Sequence, residues 1–176
     1  MPKLRTKKIV VDTNVARSAG STDDASSSLH SRKALLAILE RRLTLVLSPC
    51  FETEWKRHES RFSHSWRVNM QQRGLIFWVD ENEFAVLGRR IEEIEDRAFP
   101  KKALLKDLHV FACALATNRV IVSNESRLKR HLIRLGSLES RVLLILWASP
   151  IVEGDACSGW LRGGAKHERA RLLSQA

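Results

Sequence analysis

Ile9-Val10-Val11-Asp12-Thr13-Asn14-Val15 runs from three β-branched residues straight into a carboxylate and two more polar side chains. A short run with no polar alternation reads as a strand buried on both faces, which is the habit of a parallel sheet. A carboxylate at the end of such a strand is costly unless it is solvated, paired or bound to a cation. Asp12 alone fits a turn or helix cap, with Asn14 as its helper, as well as it fits a ligand. The choice depends on whether other acids reach the same place.

Outward from this stretch, strand and helix patterns alternate. A strand over 7–12 is followed by a polar loop, Gly20-Ser21-Thr22-Asp23-Asp24, and a helix over 27–42 with Leu29, Ala34, Leu35, Ile38 and Leu39 on its apolar face. A strand over 43–47 stops at Ser48-Pro49, a pair suited to the first turn of a helix. One long helix then extends to Arg73, where Gly74 ends it, with Phe51, Trp55, Phe62, Trp66 and Met70 as a stripe facing the sheet. The pattern continues as strand 75–79, helix 82–98 broken by Pro100, helix 103–117, strand 120–122, helix 125–135 and strand 142–147. This alternation predicts an α/β fold, a parallel sheet of about five strands with helices on both faces. The main unit spans 1–150; from Ile151 the pattern gives way to Gly154, Gly159, Gly163 and Gly164 and a short basic helix over 165–173. That stretch, 151–176, reads as a C-terminal arm or docking element rather than a second domain, with Gly159 to Lys166 as a flexible linker.

At 176 residues and 44% hydrophobic, the chain suits one domain with a full core. Its longest apolar run, Val142 to Ala148, is far too short to span a bilayer, and no apolar signal region follows the basic N-terminus. Cys50, Cys113 and Cys157 have no metal spacing and read as reduced thiols of a cytoplasmic protein, with Cys50 and Cys113 in the core. Thirty Lys and Arg against twenty Asp and Glu give +10 and a pI near 10.2, a field that attracts polyanions, nucleic acid above all.

In an open parallel sheet, ligands bind beyond the carboxyl ends of the strands. The acids that follow strands are Asp12, Glu52 or Glu54, Asp80 and Glu81, and Glu125; Asp107 precedes the apolar run Leu108 to Leu115. Glu52 and Glu54 lie about 200° apart around a helix, so only one of them faces a given cleft. Carboxylates crowded together repel one another unless a cation intervenes, and a hard divalent ion is the usual remedy. An acidic pocket on a basic protein points to phosphodiester hydrolysis.

These residues resemble a family. Val11-Asp12-Thr13-Asn14 looks like the opening of PIN-domain nucleases, and Leu47-Ser48-Pro49 with Glu54 resembles their second acidic motif. Asp107 before Cys113-Ala114-Leu115-Ala116, and Ile121-Val122-Ser123-Asn124-Glu125, resemble the third and fourth, in the same order along the chain. The fourth acid is Glu125 where Asp is commoner. The resemblance implies a three-layer fold with strand order 3-2-1-4-5 and a site at Asp12, Glu54, Asp107 and Glu125 holding Mg2+ or Mn2+. It implies Thr13, Asn14 and Ser123 as residues that orient the carboxylates. It further implies an endoribonuclease cutting single-stranded or looped RNA, the toxin of a toxin–antitoxin pair with an antitoxin protein as partner; a homodimer stays open.

Arg127, Lys129, Arg130 and Arg134, with His131, stand just after Glu125 and are placed to hold a phosphate backbone; Lys56 and Arg57 decorate the helix after Pro49. No phosphate-binding glycine loop, zinc spacing or nucleophile elbow occurs. Two other classes stay open: a non-catalytic nucleic-acid-binding module with a degenerate pocket, and a structure-specific DNA nuclease.

Overall fold

The computed structural model describes residues 6–20 and 25–176; residues 21–24 of the expected polar loop lie outside the described residues. Strands β1 (Lys8–Val11), β2 (Thr44–Leu47), β3 (Ile76–Trp78), β4 (Val120–Val122) and β5 (Leu146–Ala148) form one sheet in the order β3-β2-β1-β4-β5. Every pairing is parallel, with Ile9 opposite Leu45 and Val10 opposite Ile121. The α/β fold and the strand order are those expected from the sequence. Ile9, Val10, Val11, Leu45, Val46, Leu47, Val120, Ile121 and Val122 have no exposed surface, because both faces of the sheet are covered.

The helices sort into two packed sets. Helices α1 (Thr13–Ser18), α2 (Ala25–Glu40), α3 (Pro49–His58) and α4 (Arg61–Gln72) pack among themselves, and α5 (Asn82–Glu92), α6 (Lys101–Lys106), α7 (Leu108–Leu115) and α8 (Ser126–Leu135) do likewise. Right-handed crossovers from β1 to β2 to β3, and then back across to β4 and β5, place the two sets on opposite faces. Helix α7 packs directly on β1, β2 and β4, which is why its sequence is apolar all round.

Several expected elements are shorter or divided. The long helix after Pro49 breaks at Glu59–Ser60, where Ser60 and Ser63 cap the start of α4 with reciprocal side-chain hydrogen bonds. Its apolar stripe is real: Phe51, Trp55, Trp66 and Met70 are buried, and Trp55 stacks on Trp66 with ring centroids 5.8 Å apart. Helix 103–117 divides at Asp107, which ends α6 and begins α7. Helix α5 stops at Glu92 rather than Ala98, and a 3-10 turn, Ser140–Leu144, replaces the first half of the last strand. Leu29, expected on the buried face of α2, is exposed. Cys50 is exposed in the first turn of α3 instead of lying in the core, whereas Cys113 is buried.

The C-terminal stretch docks on the domain rather than standing free of it. Helices α9 (Pro150–Glu153) and α10 (Asp155–Arg162) pack on α2, and Cys157, Trp160, Leu161, Ala165 and Leu173 are buried in the same core. The glycines at 159 and 163 therefore belong to a helix and its end rather than to a linker. Two 3-10 turns, Arg169–Arg171 and Leu173–Gln175, stand where a basic helix was expected, and Leu172 bridges back to Leu146 of β5. Among the described residues, no helix is long and apolar enough to cross a membrane.

Candidate active site

Strand β1 has β2 on one side and β4 on the other, so the chain leaves the carboxyl ends of β1 and β4 toward opposite faces. The crevice between those ends is where a parallel sheet offers a ligand site. Asp12 follows β1, and Ser123, Asn124 and Glu125 follow β4. Trp55 of α3 is fully buried, and its Nε1 donates to the carbonyl of Val11, 3.0 Å away. That hydrogen bond ties α3 to the end of β1 and brings the preceding residue, Glu54, to the crevice. The interruption of the helix at Asp107 supplies the fourth acid. All four, Asp12, Glu54, Asp107 and Glu125, line one cleft of about 380 Å³.

Asp12 is only 8% exposed and is held from two sides. Ser123 Oγ donates to its Oδ2 at 2.7 Å and Asn14 Nδ2 donates to the same oxygen at 3.0 Å. Asn14 in turn accepts the amide of Asn124 on Oδ1 at 3.0 Å, locking the two loops together. Burial pushes the Asp12 carboxyl above the ordinary range, and the donors Ser123 and Asn14 oppose that shift. Thr13 Oγ1 lies 3.3 Å from Glu54 Oε1 and 3.5 Å from Asp12 Oδ1, between the two acids. Thr13, Asn14 and Ser123 thus touch the carboxylates that the sequence assigned them to orient.

Glu54 faces His109, whose Nε2 stands 2.5 Å from Oε2, close enough for an ion pair but without the alignment of a hydrogen bond. That contact holds the Glu54 carboxyl below its usual range. Asp107 differs: its carboxylate has no hydrogen-bond or ion-pair partner among the described residues, and it is pushed up to about 6 by burial and then by the Asp12 charge. Glu125 is exposed; it caps α8 by accepting the amide of Arg127 on Oε1 at 3.1 Å. Asp12 and Glu125 are therefore helix caps as well as lining residues. Glu52 points away, to Lys56 at 3.0 Å and Arg67 at 3.4 Å, so Glu54 is the acid of that helix that reaches the cleft.

The expected backbone-binding residues divide. Arg127 lines the acid cleft, as does His131. Lys129 instead faces a neighbouring cavity with Asn124 and Trp147, and Arg134 is engaged by Asp96 at 2.9 Å and stacked over Phe99. Lys56 is paired with Glu52, while Arg57 and Arg130 are exposed outside the cleft lining. Two cleft residues went unread in the sequence, Arg17 and Lys106, as did His109, which touches Glu54 without lining the cleft. Arg17 stands one helical turn after Thr13 and Lys106 adjoins Asp107, so helical spacing from the acids was the available signal.

Oxygen donors with an unpartnered carboxylate among them suit a hard divalent cation, and Asp12, Glu54, Asp107 and Glu125 are the residues that would hold it. Among the described residues, however, no three Asp, Glu, His or Cys side chains already stand in a metal-ligating group. Glu54 is turned to His109 and Glu125 to the Arg127 amide, so both would need new rotamers to join Asp12 and Asp107 on an ion. No family model, no curated protein and no solved structure matches this chain.

Proposed function

We propose that the protein is a metal-dependent endoribonuclease. The observation that carries this reading is the convergence of four acids, from four separate places in the chain, on one cleft at the switch point of a basic α/β protein. Magnesium or manganese held by these acids would supply polarisation of a phosphodiester and activation of the attacking water. The chain's own residues have separable tasks. Ser123 and Asn14 fix the Asp12 carboxylate so that it does not have to be ordered when substrate arrives. Thr13 spaces Glu54 from Asp12. Arg17, Lys106 and Arg127 ring the acids with positive charge, which would draw in a phosphate backbone and offset its charge next to the carboxylates. An antitoxin partner belongs to the proposal through the sequence resemblance alone.

Purified protein is expected to cut single-stranded RNA in manganese and to stop in excess EDTA. Asp12→Asn is expected to lose at least 100-fold in rate while keeping its far-ultraviolet circular dichroism. Undiminished cutting by Asp12→Asn, or in EDTA, would falsify the assignment.

One observation favours a second reading, a nucleic-acid-binding module that does not cut. Glu54 is occupied by His109, and the acids are not gathered into a metal-ligating group. On that reading RNA is bound with steep salt dependence yet stays intact in manganese.

A further inference from the structure

A solvent cavity of about 850 Å³ lies at the opposite pole from the acids, where the strands begin. Among the described residues five cations line it, Lys7, Lys8, Arg41, Arg42 and Lys166, and no acid does. None of the five has a carboxylate within ion-pair distance among the described residues. Lys7 spends its ammonium on the backbone carbonyl of Ala165, and Lys8 lies over the Phe77 ring at 3.3 Å. Glu40, adjacent to Arg41 in sequence, is taken by Arg162 at 3.0 Å. A concentration of unneutralised cations raises the local potential and attracts a polyanion.

The backbone gives an independent pointer. The three described residues other than glycine with left-handed backbone are Arg42 (φ 58), Arg119 (φ 56) and Ala165 (φ 49). Arg42 lines the cleft, Arg119 follows the lining residue Asn118, and Ala165 sits between Gly164 and Lys166, which both line it. Arg42 and Arg119 occupy helix-to-strand turns, positions that glycine fills without steric conflict. The Nε of Arg119 is moreover buried with no hydrogen-bond partner. Arg119 itself is not part of the lining, so the pointer is the left-handed backbone at Arg42 and at Ala165 between two lining residues, a kind of local strain that clusters at binding sites.

We infer that this cleft binds the phosphodiester backbone of a single nucleic-acid strand. Its cations come from three separate stretches of chain and are spread along the lining, an arrangement that suits successive phosphates rather than one. A concave basic site of about 850 Å³ suits a flexible strand that can follow its wall better than a rigid duplex. Contacts to phosphate are blind to base sequence, so binding here positions a strand without specifying it. The site does not depend on whether the acids at the other pole cut anything.

The experiment is fluorescence anisotropy with a labelled 20-nucleotide single-stranded RNA in EDTA, over a series of salt concentrations. The triple variant Arg41→Ala/Arg42→Ala/Lys166→Ala, all at exposed positions, is compared with Arg61→Ala/Arg89→Ala/Arg97→Ala, an equal loss of exposed charge elsewhere. The first is expected to bind at least tenfold more weakly, with a log–log salt slope shallower by about 2, at roughly 0.7 for each phosphate no longer neutralised; the second is expected to change little. Melting curves confirm that both fold, and Lys166→Glu alone repeats the test with a single exposed substitution. Equal losses in the two triple variants, or none in the first, overturn the site. Competition by tripolyphosphate as tight as by the oligonucleotide overturns the choice of a strand as ligand. Wild type that binds but never cuts in manganese removes the nuclease reading and leaves this one standing.

Discussion

Asp107 is the most exposed to its own electrostatics of the four cleft acids. Its carboxyl is pushed up to about 6 by burial and by the Asp12 charge, while Lys106 and His109 pull the other way. Because the folded-state value lies above the ordinary 3.8, the native protein keeps a proton that the unfolded chain gives up between those pH values. Stability therefore falls as pH rises through that window. In EDTA, Asp107→Asn is expected to melt with wild type at pH 4 and above it at pH 7. Added manganese should reverse the order at pH 7, because bound metal stabilises the native state by mass action and the variant binds it less. A wild type that out-melts the variant at pH 7 without metal would mean that Asp107 is satisfied in the fold rather than held for a ligand. Position after a strand or before an apolar run flagged the four acids along with Glu52, Asp80 and Glu81, and the family resemblance singled the four out. His109 was not, because a histidine inside Leu108–Leu115 reads as core packing, and it does pack, with its ring 4.8 Å from that of Phe51. Its second role, the contact with Glu54, joins residues 55 positions apart and leaves no local trace.

The break between α3 and α4 shows what a pattern of apolar spacing misses. Glu59 and Ser60 carry no proline or glycine, so the stripe from Phe51 to Met70 runs across them as if on one helix. The sequence signal was the Ser60–Ser63 pair, an unusual capping box in which serine replaces the commoner Glu or Gln. The corner is held by a buried ion pair: Arg67 donates to Glu59 at 2.8 and 3.0 Å, with 4% and 7% of the two side chains exposed, and His64 adds a contact at 2.6 Å. Removing one partner of such a pair strands the other charge away from water. Arg67→Ala is expected to lower unfolding free energy by about 3 kcal/mol in urea titration, and Glu59→Leu/Arg67→Met to restore most of it. A loss below about 1 kcal/mol would show that water reaches the corner and that Glu59 is no longer a buried charge.

For the chain as a unit, the alternation of buried strands and amphipathic helices made the parallel sheet readable up to Pro150 and the family resemblance supplied its strand order, but the packing of the last 26 residues was not legible. Gly154, Gly159, Gly163 and Gly164 looked like linker composition. Only Gly154 and Gly164 take positive φ, at 57 and 90, where the chain turns; the others are compatible with helix α10 and its end. What closes the stretch onto the core is long-range and leaves no periodicity: Lys33 with Asp155 at 2.7 Å, Arg162 with Glu40 at 3.0 Å, and Trp160. Trp160 is 7% exposed, donates Nε1 to the Lys166 carbonyl at 2.8 Å and carries the Arg171 guanidinium 4.4 Å over its ring. An arm would tolerate loss of that side chain. A last layer of the core would not, because truncation leaves a cavity beneath Arg171 and an unpaired carbonyl. Trp160→Ala is therefore expected to cost about 3 kcal/mol, which in a chain of this length lowers the melting temperature by roughly 10 °C. The acid cleft is lined by residues of α1, α3, α6 and α8 and of the turns before them, and not by this stretch, so on the nuclease reading RNA cutting at 25 °C by the folded variant should match wild type within about twofold. An unchanged melting temperature would return residues 151–176 to the status of an arm. A lost activity with an unchanged melt would instead place Trp160 in contact with substrate.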